Sequence, residues 1–132
     1  EEIKMKDKEK KEEKSEEQEQ WQEVLGKQLS IGLEGVDVSK VVIAYEPIWS
    51  IGPGKQPADK EYITKIARFV KEKTGGMDIV YGGGLKQENA AMLASIGEID
   101  GGLIALTRFQ GEIGYYPEEY LEIIRLYMEA CK

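Results

Sequence analysis

Three times along this chain a short apolar run ends near a glycine-bearing loop and gives way to apolar residues at helical spacing. Val41–Tyr45 is continuous and β-branched in part, the composition of a strand covered on both faces. It leads past Gly52-Pro53-Gly54 to a helix opened by Pro57 and Asp59, striped by Tyr62, Ile63, Ile66, Ala67, Phe69 and Val70, and ended by Gly75-Gly76. Asp78–Tyr81 predicts a second strand, running into Gly82-Gly83-Gly84 and an Ala-rich helix from Lys86 to Ala94. Leu103–Leu106, after the turn Asp100-Gly101-Gly102, predicts a third. A helix from Glu118 to Ala130 follows, with Tyr120, Leu121, Ile124, Tyr127 and Met128 on its inner face. Upstream, Trp21, Val24, Leu25, Gln28 and Leu29 mark an amphipathic helix over about 16–30. A helix followed by three strand–helix units predicts an α/β fold with a parallel sheet and helical crossovers. Three parallel strands leave two unpaired edges, so the pattern reads as an incomplete sheet.

Charge is concentrated at one end. Residues 1–28 hold 7 Lys and 10 Asp or Glu, and residues 1–20 have only Ile3 and Met5 as apolar side chains. Residues 1–15 are therefore expected to be a charged extension, either disordered or a solvated helix supported by pairs such as Glu2–Lys6 and Asp7–Lys11, with the folded domain spanning 16–132. The net charge of −7 and the absence of a basic patch argue against a nucleic-acid partner. No apolar run reaches the roughly 18 residues of a membrane span, and the N-terminus lacks the apolar core of a signal peptide. With Cys131 as the single cysteine, a reducing, cytoplasmic location is expected. No metal or cofactor is expected. Histidine, the commonest general acid/base, is absent from the sequence.

The chemistry concentrates between Val41 and Lys55. An apolar run stops abruptly at Glu46, and in parallel α/β sheets the C-terminal strand ends face the ligand crevice. An exposed Glu at a strand end is the plain alternative. The later glycine loops favour chemistry, since converging backbone N–H groups can hold a phosphate monoester beside a carboxylate base. Proton abstraction next to a phosphorylated carbonyl compound is the reaction this suggests.

Ala44-Tyr45-Glu46-Pro47-Ile48-Trp49-Ser50-Ile51-Gly52-Pro53-Gly54-Lys55 resembles the sixth-strand and lid-loop signature of the triosephosphate isomerase family. Tyr81-Gly82-Gly83-Gly84 through Asn89 is similar to that family's seventh loop, and Asp100-Gly101-Gly102-Leu103-Ile104 to the approach to its eighth strand. The resemblance covers roughly 13–132. It implies the C-terminal half of a (β/α)₈ TIM barrel, from helix five to helix eight, and an isomerase of glycolysis and gluconeogenesis acting on a small phosphorylated sugar. By resemblance, Glu46 is the base that moves a proton between the two carbons of an enediol. Pro47, Trp49 and Lys55 are hinges of a lid that excludes water. Gly52 donates its N–H to phosphate, and Gly83, Gly84, Ala105 and Leu106 line the same pocket.

The departures from the family pattern are informative. Ser50 stands for the usual Ala, Pro53 for Thr, Gly84 for Ser, and Ala105-Leu106 for a Gly-Gly pair. Two roles stay open for Arg108, a charge-assisted clamp on phosphate and an outer salt bridge. Together with the longer stretch Phe109–Tyr116, these changes resemble the branch that isomerises four-carbon ketose (tetrulose) phosphates. The family's Asn-x-Lys at strand one and its His at strand four have no counterpart here. The alternative is accordingly a non-catalytic half-barrel needing the missing N-terminal half, or a partner chain, to close it. The full-length family implies a homodimer.

Overall fold

The computed structural model describes residues 20–51, 55 and 58–131, which fall into two compact units dividing after Asp37. The expectations for residues 1–15, and for Pro57 as a helix opener, lie outside the described residues. In the first unit helix α1 runs over 20–32, with Trp21, Leu25 and Leu29 half-buried at the spacing expected and Val24 exposed. It ends in tight turns at Gly35, whose φ of 71° suits a residue without a Cβ.

The second unit is a three-stranded parallel sheet with its helices, in the order β1 (Ile43–Tyr45), α2 (Lys60–Thr74), β2 (Ile79–Tyr81), α3 (Ala90–Ala94), β3 (Gly101–Gly102) and α4 (Pro117–Ala130). The strands lie side by side in chain order, Ile43 opposite Ile79 and Tyr45 opposite Tyr81, then Tyr81 opposite Gly102. The sheet does not close, as the alternation predicts. Its centre is β2, where Ile79 and Tyr81 are both buried. Helix α2 packs Ile63, Ile66, Ala67 and Val70 into the core. Its first turn is capped by the Asp59 carboxylate, which accepts from Tyr62 N–H at 2.7 Å, and its last by Gly75 at φ 71°.

Three expectations need correction. The third strand is Gly101–Gly102, not Leu103–Leu106. Its ladder follows β2, which gives way to the glycine loop after Tyr81. Leu103 N–H still donates to Tyr81 O at 2.9 Å, and nothing beyond it finds a strand partner. Glycine is needed at 102 because a Cβ there would run into the buried Leu85 side chain. Helix α3 begins at Ala90, not Lys86, because Asn89 closes the preceding turn. Its Oδ1 accepts from Lys86 N–H at 2.7 Å while its Nδ2 donates to Gly84 O at 2.9 Å. On α4 the residue fully buried is Ile123; Tyr120 and Tyr127 are half-buried, whereas Leu121, Ile124 and Met128 are exposed. That helix packs against α3, and its other side opens beside β3, where Ile124, Met128, Leu103 and Ile104 line an apolar cleft of about 400 Å³.

At the N-terminal ends of β2 and β3, Asp100 ties helix α2 to the sheet. Its Oδ2 accepts from Lys71 Nζ at 2.5 Å and from Ile79 N–H at 2.9 Å. Burial alone would raise its pKa, but the Lys71 ammonium and the Ile79 N–H together hold the carboxyl below the usual aspartate value. A carboxyl depressed on folding contributes stability that is fully present above its unfolded pKa, about 3.9, and is lost as pH falls through the lower folded value. Urea midpoints followed down through that acid window should therefore fall more steeply for the parent than for Asp100→Asn. Parallel curves would remove Asp100 from the acid response.

Candidate functional site

Glu46 is the first residue past β1, and its side chain is exposed. The parallel pairing of β1 with β2 continues one step beyond the strands, with Gly82 N–H donating to Tyr45 O at 2.9 Å. This sets Gly82 against the carboxylate. A Cβ at Gly82 would lie 2.9 Å from Glu46 Cγ, 3.2 Å from Oε1 and 3.4 Å from Leu103 Cβ. Glu46, Gly82 and Leu103 thus form a row across the C-terminal ends of the three strands.

Pro47 is buried directly after Glu46, and the chain then turns through a 3-10 segment, Ile48–Ser50. Trp49 meets Tyr62 of α2 edge-on, ring centres 5.3 Å apart, and the Tyr62 and Tyr45 hydroxyls are 3.0 Å apart. Burial first, and then the Tyr62 contact, push the Tyr45 phenol far above its ordinary pKa, so it stays neutral. Ser50 is buried, its hydroxyl 2.9 Å from both Pro47 O and Gly83 O, between which its single proton is shared. Tyr81 also donates to Gly83 O, at 3.0 Å. Its pKa is raised, mainly by burial, with the Ser50 contact pulling the other way. The root of the first loop is thereby fastened to the second by the Ser50 hydroxyl, on a carbonyl that Tyr81 holds from its own side.

Next to this junction lies a recess of about 50 Å³ lined by Gly82, Gly84, Ala105, Leu106 and Phe109, among others. Gly84, buried and held at φ 101° with Asn89 bonded to its carbonyl, is at a position that strongly favours glycine. The backbone N–H groups of Gly84, Ala105 and Leu106 have no acceptor among the described residues. Unpaired backbone donors beside a recess are one requirement of an anion site. Gly82 lies against Glu46 and also lines the recess, so the carboxylate and the recess share a wall.

Comparison with known proteins gives this geometry a lineage. A model of the family described as triosephosphate isomerase matches residues 8–125. The chain belongs to the triosephosphate isomerase family. It is 39% identical over 121 residues to the triosephosphate isomerase of Francisella tularensis subsp. holarctica, covering 83% of this chain and 45% of that protein. It is 41% identical over 83 residues to that of Mesomycoplasma hyorhinis (62% and 34%) and 41% over 100 residues to that of Cupriavidus pinatubonensis (67% and 40%). The chain thus spans between about a third and a half of the length of these triosephosphate isomerases.

Within the triosephosphate isomerase pattern, Glu46, Gly84, Ala105 and Leu106 come together at one end of the sheet. Pro47 is buried and Trp49 exposed, Lys55 is exposed, and Gly52 lies outside the described residues. Gly83 does not line the recess; its carbonyl serves as the anchor for Ser50 and Tyr81. Arg108 shows the ion pair, its Nε 2.6 Å from Glu119 Oε1 and its guanidinium 3.9 Å above the Tyr116 ring. The pair raises the Arg108 pKa and lowers that of Glu119. Both line a second cleft of about 300 Å³, separated from the recess by Phe109.

Sequence reasoning missed Gly82 and Ser50. Ser50 announced itself only as a departure from the triosephosphate isomerase pattern, and its partner is 33 residues away. Among the described residues no three His, Cys, Asp or Glu side chains gather as a metal site requires, and no helix is long and apolar enough to cross a membrane.

Proposed function

We propose that this chain supplies the base and the phosphate cradle of an isomerase that interconverts an aldose phosphate and a ketose phosphate, glyceraldehyde 3-phosphate and dihydroxyacetone phosphate, through an enediol. The observation that carries this reading is Gly82, packed against Glu46 on one side and walling the recess of free N–H donors on the other. A phosphate held by Gly84, Ala105 and Leu106 leaves the adjoining carbons within reach of the carboxylate. Glu46 takes a proton from one carbon and returns it to the next, the two carboxylate states alternating within one turnover. The lid rooted at Pro47 and Trp49, with Gly52 and Lys55 further along it, closes over the substrate and keeps water from the enediol. Dimerisation of the completed barrel and a cytoplasmic location belong to the same reading.

The electrophile that polarises the carbonyl must come from elsewhere, since the sequence holds no His. This supports a second reading, in which the chain by itself is a non-catalytic half-barrel awaiting its complement. Val42, just before the edge strand β1, and Leu103, just after the edge strand β3, are both exposed and fit it. The four-carbon substrate class has one observation in its favour, the cleft of about 300 Å³ beyond Phe109.

The test is fusion of this chain behind the first five strand–helix units of a family member. The fused protein should isomerise triose phosphate, while the chain alone shows little turnover. Faster isomerisation of a tetrulose phosphate would move the assignment to the four-carbon branch. Failure on both substrates by a folded fusion would leave the half-barrel reading in possession.

A further inference from the structure

Arg108 is the cation the sequence offers to phosphate, yet its guanidinium is engaged by Glu119 and by the Tyr116 ring. Lys86 is differently placed. It follows the glycine loop by two residues, and its backbone is fixed by the Asn89 bond to its N–H. Its Cε lies 4.0 Å from the position a Cβ would take on Gly84. Its ammonium sits over Phe109, 4.4 Å from the ring centre, and Phe109 is the wall between recess and cleft. Lys86 is half-buried, and no carboxylate lies within salt-bridge distance of it among the described residues. A partly desolvated ammonium resting on a π face gains something from the ring quadrupole, but its charge is left without a counter-charge.

We infer that Lys86 is the cationic phosphate-binding residue of this site. The inference rests on the recess being a phosphate site and adds the group that neutralises the anion's charge. An anion taking the N–H groups of Gly84, Ala105 and Leu106 lies beside the Gly84 backbone over which the Lys86 stem already passes. The ammonium reaches it by a rotation about its terminal bonds, away from Phe109. In a chain of net charge −7, and with Glu88 and Glu119 lining the neighbouring cleft, backbone donors alone face an opposing field, which a local cation offsets. Phe109 holds that cation in place when the site is empty.

The test is titration of the full chain with inorganic phosphate at low ionic strength, followed by backbone amide shifts in NMR. Phosphate should move the Gly84, Ala105 and Leu106 amides. Lys86→Met, which keeps the stem over Phe109, should weaken binding about tenfold, as expected for loss of a charge-assisted contact. Lys86→Arg should restore most of it. Lys73→Met makes the same change in net charge at a lysine placed over Phe69 on α2, and should alter affinity by less than about twofold. Parent-like binding by Lys86→Met overturns the inference while leaving the recess in place. So does an equal loss in Lys73→Met, or a larger loss in Arg108→Gln. Amides in the parent that ignore phosphate overturn the recess as a phosphate site, and the assignment of Lys86 with it.

Discussion

Glu46→Gln should abolish turnover in the fused enzyme while leaving its fold and phosphate affinity intact. The exchange keeps the shape of the side chain beside Gly82 and removes the group that accepts a proton. The expected loss in kcat is about 10²–10⁴-fold, the usual contribution of a positioned general base, with KM little changed. Among the described residues Glu46 makes no ion pair or side-chain hydrogen bond, and its side chain is exposed, so little stability depends on its charge. That separation makes the experiment decisive. Urea midpoints of Glu46→Gln and the parent should coincide to within about 0.5 kcal/mol, the ordinary range for an exposed substitution. A Gln variant with undiminished kcat would sink Glu46 as the base. A variant that unfolds would show the side chain holding the strand ends together, which its exposure argues against.

Much of this site was legible because it depends on where patterns stop. Val41–Tyr45 ends at a carboxylate, and that end of a parallel strand faces the crevice whatever the rest of the fold does. Register was harder. Gly82, Gly83 and Gly84 are indistinguishable in the sequence, yet they have three different tasks. Gly82 faces Glu46, Gly83 turns its carbonyl to two hydroxyls, and Gly84 takes a positive φ beside the recess. Only the pairing of Tyr45 with Tyr81 decides which is which. The third strand was misplaced for a similar reason. The apolar run Leu103–Leu106 has the right composition, but Gly101–Gly102 lies opposite the end of β2. On α4 the expected stripe runs through Ile124, one step round the helix from Ile123, the residue the core takes up; adjacent isoleucines leave the spacing without a means of choosing between them. Lys86 gave no signal at all, since a lysine at an anticipated helix start reads as solvent-facing.

Gly83→Ala should be the most damaging single methyl in the site. The backbone φ at Gly83 is not positive, so the cost is steric. The new Cβ would collide with the Tyr81 hydroxyl and ring and stand 2.7 Å from Pro47 Cγ. Neither neighbour can yield easily. Tyr81 is 1% exposed and bonded through its hydroxyl to Gly83 O, and Pro47 is a buried ring at the root of the first loop. Relief requires the two loops to separate, which breaks the Ser50 contact and draws Gly82 away from Glu46. Overpacking of this kind costs about 1–3 kcal/mol, and here the strain falls on the junction that holds Gly82 beside Glu46. Stability of the chain should drop by that amount, and the fused enzyme should lose turnover well beyond what the stability change explains. Gly97→Ala is the matching control. Its Cβ meets nothing within 4 Å and its φ is not positive, so it should be neutral or add up to about 1 kcal/mol by restricting the unfolded chain. Equal urea midpoints for Gly83→Ala and Gly97→Ala would show that the loops are not clamped together. The two loops would then move as independent parts, and the shared wall at Gly82 could not hold Glu46 and the recess in fixed relation.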